Sequence, residues 1–185
     1  DHQAAPLMEQ STCKKVVNNF AEKIQLQEKD LKAFKHLDIE RLMNEAEQLD
    51  AVPVAQRGVL HGKLIAVKEV FDVAGYKCSW GTSIHENRYP ETDAATVKSL
   101  KQAGALIAGI TVSTEYAMSR TGPTVNPHDL KRTPGASSQG SAAVVGGGLV
   151  NAALASQTIG SIIRPAAYCG CIGVKPTWGI TDVKG

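Results

Sequence analysis

The sequence has little net charge. Its 20 Lys and Arg residues face 18 Asp and Glu residues, for a formal balance of +2. Its basic residues are scattered, so nothing argues for a nucleic-acid or membrane-surface partner. Long apolar runs are also missing. The longest, residues 142–155, is interrupted by Asn151 and three glycines, too short and too Gly-rich to span a membrane. Its four cysteines, Cys13, Cys78, Cys169 and Cys171, form no disulfide framework, and Cys169-x-Cys171 is too tight for ordinary zinc spacing. Buried free thiols are expected, which suits a reducing compartment. The cytoplasm is therefore expected, with secretion as the alternative, since the chain opens on Asp1 rather than methionine. The five histidines (His2, His36, His61, His85, His128) are isolated, none in H-E-x-x-H. There is no G-x-S-x-G, P-loop or G-x-G-x-x-G. These absences leave no sequence support for a nucleophile elbow, a zinc hydrolase or a nucleotide fold, and no metal or cofactor is implied. One S-x-x-K match, Ser11 to Lys14, lacks the companion motifs of a β-lactamase and reads as a surface helix start.

What is present is a nearly uncharged stretch from Thr133 to Thr177, rich in Gly, Ala and Ser, with Arg164 its only ionised side chain before Lys175. It is too Gly-rich for one long helix and too apolar for a linker. Small residues allow close backbone approach and leave amide groups accessible. Serines within such a stretch are candidates for a nucleophile and a proton relay.

Periodicity sets the frame. Residues 1–9 read as a loose terminus. Residues 11–50 read as helical, with apolar positions at Val16, Val17, Phe20 and Ile24, then Leu31, Phe34 and Leu37, then Leu42, Ala46 and Leu49, and Asp38 as an N-cap. Gly62 to Lys68 reads as a buried strand ending on a lysine, and Ala105 to Gly109 as another. Between them, Asp93 to Ala103 reads as a helix with Asp93 as N-cap and Gly104 as stop. Strand, helix, strand at this spacing predicts parallel pairing. Further helices are expected over Thr111–Ser119 and from Ser138 or Ser141 to Val150, the latter weakened by Gly146 to Gly148. Strands are expected over Ala152–Gln157 and Cys171–Val174. The class is α/β, a mixed, largely parallel sheet flanked by helices. Residues 1–57 are an N-terminal helical segment and 58–185 an α/β core.

A serine nucleophile needs a base, and with no suitable histidine pattern the remaining candidate is Lys68. A free lysine titrates near 10.4, so a neutral amine at pH 7 costs roughly 4.6 kcal/mol. Burial can impose a change of that size.

At His61-Gly62, Ala66-Val-Lys-Glu69, Asp72-Val-Ala-Gly75, Thr114-Glu-Tyr-Ala117, Asn126-Pro127, Thr133-Pro-Gly-Ala-Ser-Ser-Gln-Gly-Ser-Ala-Ala143, Gln157 to Ala167 and Gly173-Val-Lys-Pro-Thr177, the chain resembles the amidase signature family. The resemblance covers about Lys32 to Gly179. It implies a Ser–cis-Ser–Lys triad without a cofactor: Lys68 as base, Ser137 as the bridging serine on a cis peptide, Ser161 as the acylated nucleophile. It implies an oxyanion hole from the N–H groups of Thr158, Ile159, Gly160 and Ser161, and a tuning role for Ser138. Gln157-Thr158 with Arg164 three residues after Ser161, where many relatives have arginine two residues after, is similar to the malonamidase-type branch. There the arginine binds a substrate carboxylate. A small-molecule amide is the implied substrate. Ile159 and Ala136 stand where the family has small residues or glycine, and Gly146 to Gly148 where alanines are common. Family members are longer, so the resemblance implies a fold truncated at its C-terminus, needing a homodimer partner or a missing C-terminal portion to cover a sheet edge. Two other readings stay open: a silent binding or scaffold module of the same fold, and an amidotransferase component working with partners.

Overall fold

The computed structural model describes residues 12–118, 120–182 and 184. The expected loose terminus and Ser11 of the S-x-x-K match lie outside them. The first helix, α1 (Cys13–Leu31), starts where the Thr12 hydroxyl accepts the Lys15 N–H at 3.2 Å and stops at Lys32, whose left-handed backbone (φ 54°) ends the helical path. Val17 and Phe20 form its buried stripe. Lys14 pairs with Glu47 in solvent, as suits a surface position.

The reading of residues 31–37 as helical is corrected. Phe34 to His36 forms a short strand, β1, antiparallel to a later strand. The left-handed turn at Lys32 resets the chain, so the apolar spacing across it belongs to two elements. Helix α2 (Ile39–Asp50) then begins at Asp38, whose carboxylate accepts the Arg41 N–H at 2.9 Å, the expected N-cap.

Strands β2 (Leu64–Lys68) and β3 (Leu106–Thr111) pair in parallel around α3 (Ala95–Gln102), as the spacing predicts. Strand β4 (Ala152–Leu154) pairs in parallel with the other side of β2, giving the order β1-β3-β2-β4. Asp93 does not cap α3. Its carboxylate accepts the Ala74 N–H and the Lys101 ammonium, and Ala94 takes the cap position. The helix expected over Thr111–Ser119 is absent: β3 runs to Thr111, and a single 3-10 turn follows at Glu115–Ala117. No strand forms over 171–174.

Every residue of β2 and β3 is buried, because helices cover both faces. Alternation divides the side chains, with one reset where β3 skips a residue between Ile107 and Gly109 in its pairing with β2. Leu64, Ala66, Leu106 and Ala108 share a core with α1, α2 and α4 (Gln139–Gly146), while Val67, Ile107 and, past the reset, Ile110 pack with Val97 of α3 and with Tyr76. Lys68 stands two residues after Ala66, so its side chain leaves β2 on the α4 face. Helix α4 stops at Gly146, four residues earlier than its apolar run suggests. A Cβ on Gly146 would lie 2.1 Å from the Cys169 carbonyl oxygen at the end of α5 (Ile163–Tyr168), so this glycine marks close helix packing.

The cysteines are free, and three of the four are buried. Burial pushes the thiols of Cys13 and Cys78 up to about 11. No helix among the described residues is long and apolar enough to cross a membrane.

Candidate active site

Lys68 is the last residue of β2, and its side chain has no solvent exposure. Its ammonium donates to three serine hydroxyls: Ser137 Oγ at 2.8 Å, Ser138 Oγ at 2.9 Å and Ser156 Oγ at 2.9 Å. An ammonium has three donors, so each finds one acceptor. The serines come from the loop before α4 and from the segment after β4. All lie at the carboxyl ends of parallel strands or at the start of the helix above them, where open α/β sheets gather their sites. Burial pulls the Lys68 ammonium down to about 7, and the neighbouring Glu69 charge opposes this. Glu69 is itself buried. Its carboxylate accepts the Ser79 hydroxyl and the Ser113 N–H, both at 2.7 Å.

Backbone geometry sets the serines. The Ala136–Ser137 peptide is cis. Gly135 before it has φ +81°, and a Cβ there would lie 2.7 Å from Pro165 Cα, so only glycine fits. The Ser137 carbonyl accepts the Thr114 N–H at 3.1 Å, and the Ser138 N–H donates to the Ser161 carbonyl at 3.2 Å. Ser138 Oγ also donates to the Ser156 carbonyl at 3.1 Å. A second hydroxyl layer, Thr111 Oγ1 with Ser141 Oγ at 2.7 Å, pins α4 to β3.

The structure thus brings Lys68, Ser137 and Ser138 together. Ser161 reaches them through its main chain only: among the described residues no hydrogen bond joins its hydroxyl to Ser137 or Lys68. In its turn, the N–H groups of Thr158, Ile159, Gly160 and Ser161 donate to no acceptor among the described residues. Ile159 is 92% exposed and its φ is not left-handed, so a β-branched side chain is tolerated there. The φ of Ala136 is not left-handed either. Gln157 Oε1 accepts the Ile162 and Ile163 N–H groups at 2.8 and 3.0 Å, holding the turn against the start of α5. Arg164 is exposed. Its Nε donates to the Ala136 carbonyl at 3.3 Å, and among the described residues it has no acidic partner. The sequence reading missed Ser156. Its signal was its place in the same small-residue stretch, at the end of a predicted strand, but position alone did not separate it from the other serines.

A cavity of about 860 Å³ adjoins the cluster through Ser138, Ser156 and Gln157, with Phe71, Leu154 and Trp178 in its apolar wall. Lys68, Ser137 and Ser161 do not line it. No group of three His, Cys, Asp or Glu among the described residues is placed to hold a metal ion.

The amidase family model matches residues 15–184. The chain belongs to the amidase family. A curated relative, a glutamyl-tRNA(Gln) amidotransferase subunit of Methanococcus vannielii, is 41% identical over 175 residues, 91% of this chain and 40% of its own length. Among solved structures, the peptide amidase of Stenotrophomonas maltophilia matches with a TM-score of 0.87 at 29% identity, over 94% of this chain and 39% of that one. The glutamyl-tRNA(Gln) amidotransferase subunit of Thermotoga maritima matches with a TM-score of 0.77 at 36% identity, over 90% and 36%. The chain therefore spans about 40% of the length of the curated relative it matches. These amidase-family matches support the α/β fold and the family, and do not support a malonamidase-type branch within it.

Proposed function

We propose that the protein cleaves the C–N bond of a small amide, with Ser161 as nucleophile, Ser137 as relay and Lys68 as base. The observation that carries this reading is Lys68: buried, encircled by three hydroxyls and drawn down to about 7. At neutral pH about half of such amines are unprotonated. A neutral amine has two N–H donors and one lone pair, so one of the three hydroxyls must turn to donate to it. Ser138 already commits its proton to the Ser156 carbonyl, which leaves Ser137 or Ser156. Ser137 belongs to the loop that also binds the Ser161 main chain through Ser138.

In the reaction, Ser161 Oγ attacks the amide carbonyl carbon. Its proton passes to Ser137 Oγ, whose own proton passes to Lys68 Nζ. The oxyanion is held by the N–H groups of residues 158–161, which are unpaired among the described residues; one such donor is typically worth roughly 3–4 kcal/mol. Collapse breaks the C–N bond, and the proton returns through Ser137 to the leaving nitrogen, which departs as ammonia or an amine. Water then hydrolyses the ester by the same relay run again. This requires Ser161 Oγ to swing within reach of Ser137, a tightening common on substrate binding. Arg164 stands over the turn near Gly160 with its fork free of acidic partners among the described residues, a geometry that suits a substrate carboxylate.

The test is a fluorophosphonate probe read by mass spectrometry. Labelling at Ser161 that disappears in Lys68→Ala supports the enzyme. Folded protein that stays unlabelled at Ser161 refutes it and leaves a binding module of the same fold. A second reading, one component of an amidotransferase, is favoured by the names of the Methanococcus and Thermotoga relatives. It predicts labelling at Ser161 with little ammonia release from small amides until a partner is supplied.

A further inference from the structure

Two loops rise from the Lys68–Ser137 pair and meet in a cluster of aromatic rings. One follows Ser79, which donates to Glu69 beside Lys68. The other follows Ser113, whose N–H donates to the same carboxylate. The next residue, Thr114, donates its N–H to the Ser137 carbonyl. The loops are stitched together: the Tyr116 N–H donates to the Trp80 carbonyl at 2.8 Å. A Cβ on Gly81 would lie 2.6 Å from the Thr114 carbonyl oxygen. Trp80, His85 and Tyr116 converge above them, with ring centroids 4.8 Å (Trp80–His85), 6.0 Å (His85–Tyr116) and 6.5 Å (Trp80–Tyr116) apart. The Arg88 guanidinium covers one face of Trp80 at 4.3 Å, held by a two-pronged pair with Asp72.

The cluster is not a closed core. Tyr116 is 45% exposed, Trp80 and His85 are half-buried, and Ile84 and Met118 beside them are exposed. Its backbone is also strained. Of the four non-glycine residues with left-handed φ among those described, three are here: Trp80, Tyr116 and Ala117. Such conformations are costly for a residue with a side chain and gather where a chain presents side chains for a task. The placement suits substrate. The Ser137–Ser138 peptide carries the Thr114 loop on its carbonyl side and the Ser161 turn on its N–H side. One peptide unit and two hydrogen bonds set the Thr114 nitrogen and the Ser161 carbonyl oxygen apart by roughly 8–9 Å.

We propose that Trp80, His85 and Tyr116 form a subsite for an aryl group of the amide substrate, beside the Ser161 turn. The proposal rests on the amide-cleavage reading. The rings offer edge-to-face partners for a planar group, a contact that adds to what area burial alone supplies.

The test uses 2-phenylacetamide and acetamide as probes and follows tryptophan fluorescence in a Trp178→Phe background, where Trp80 is the remaining indole. Phenylacetamide should saturate at least tenfold below acetamide. Tyr116→Ala should remove most of that difference, and Tyr116→Phe should keep it. Should Tyr116→Ala fail to fold by circular dichroism, Tyr116→Leu replaces it, keeping apolar bulk without a ring. Equal affinity for both amides, or a preference unchanged in the Ala or Leu variant, overturns the subsite. Fluorophosphonate labelling of Ser161 in the same samples separates the two claims. Labelling without aryl preference sinks the subsite alone. Aryl preference without labelling sinks the cleavage reading and the substrate role with it, and leaves the rings as an aryl-binding site alone.

Discussion

Replacing Lys68 with methionine isolates the energetics on which the site depends. Burial lowers the Lys68 ammonium to about 7, against about 10.4 for a lysine in the unfolded chain. Between those values the unfolded state binds more protons than the folded one, so stability rises with pH across that window. Below pH 7 the full penalty of burying the ammonium is present, on the order of 4.6 kcal/mol. At pH 9 roughly 1.9 kcal/mol remains, because the folded amine is neutral while the unfolded one still holds its proton. The wild type should therefore gain about 2.6 kcal/mol between pH 6 and pH 9 that Lys68→Met does not gain. Methionine also deprives Ser137, Ser138 and Ser156 of a donor, at about 1 kcal/mol for each hydrogen bond. The neutral amine keeps three contacts by accepting one hydroxyl proton, so that loss is nearly the same at both ends of the range and largely cancels from the slope. The assay is urea unfolding of both proteins at half-unit steps from pH 6 to 9. With a slope near 2 kcal/mol per molar urea, the difference in midpoints should change by on the order of 1.3 M. Parallel profiles for the two proteins would mean that Lys68 ionises alike in folded and unfolded chains, and the buried-base argument would fail.

Ser156→Ala removes one acceptor from the ammonium, which disfavours the charged form. The pH midpoint of Ser161 labelling should fall below that of the wild type while labelling persists, whereas Ser137→Ala should abolish it; a midpoint that stays put or rises would count against the encircling role of Ser156. Labelling by the wild type should itself rise with pH through about 7, following the neutral amine, and a flat profile would exclude Lys68 as its base. Gly146→Ala should lower stability by roughly 2–3 kcal/mol, since the new methyl meets a carbonyl rather than a movable side chain. Gly148→Ala, with open space but φ +69°, should cost only about 1 kcal/mol in a thermal melt. Arg164→Ala should raise KM for anionic amides by roughly tenfold, about 1.4 kcal/mol, and leave neutral amides little changed. Equal loss on both would make its contact with the Ala136 carbonyl the whole of its role.

Much of the frame was legible from local signals. Leu64 to Lys68 and Leu106 to Thr111 are aliphatic runs bounded by turn residues, and such runs form strands wherever helices cover both faces. The residues around Lys68, Ser137 and Ser161 carry the resemblance to the family in their order alone. What misled was periodicity carried across a chain reversal. Leu31, Phe34 and Leu37 keep helical spacing, yet Lys32 turns left-handed between them, and the sequence holds no glycine there to announce it. Asp93 looked like a cap because caps are local, but partners at Ala74 and Lys101 claimed its carboxylate.

Residue order is enough to set the alternation that aims Lys68 at α4, and the small-residue stretch that lets α4 and α5 close on one another. It determined, too, that a lysine and serines rather than a histidine would be the candidates for the chemistry. Tertiary structure alone decided which hydroxyls the lysine holds. Ser156 lies 88 residues from Lys68 along the chain, and only parallel pairing of β4 with β2 brings it to the ammonium. It also decided the proton affinity of the candidate base. A lysine in water is charged at neutral pH, and nothing in its neighbours along the chain changes that. Enclosure by segments distant in sequence removes the water, and the removal of water is what lowers the affinity of Lys68 for its proton.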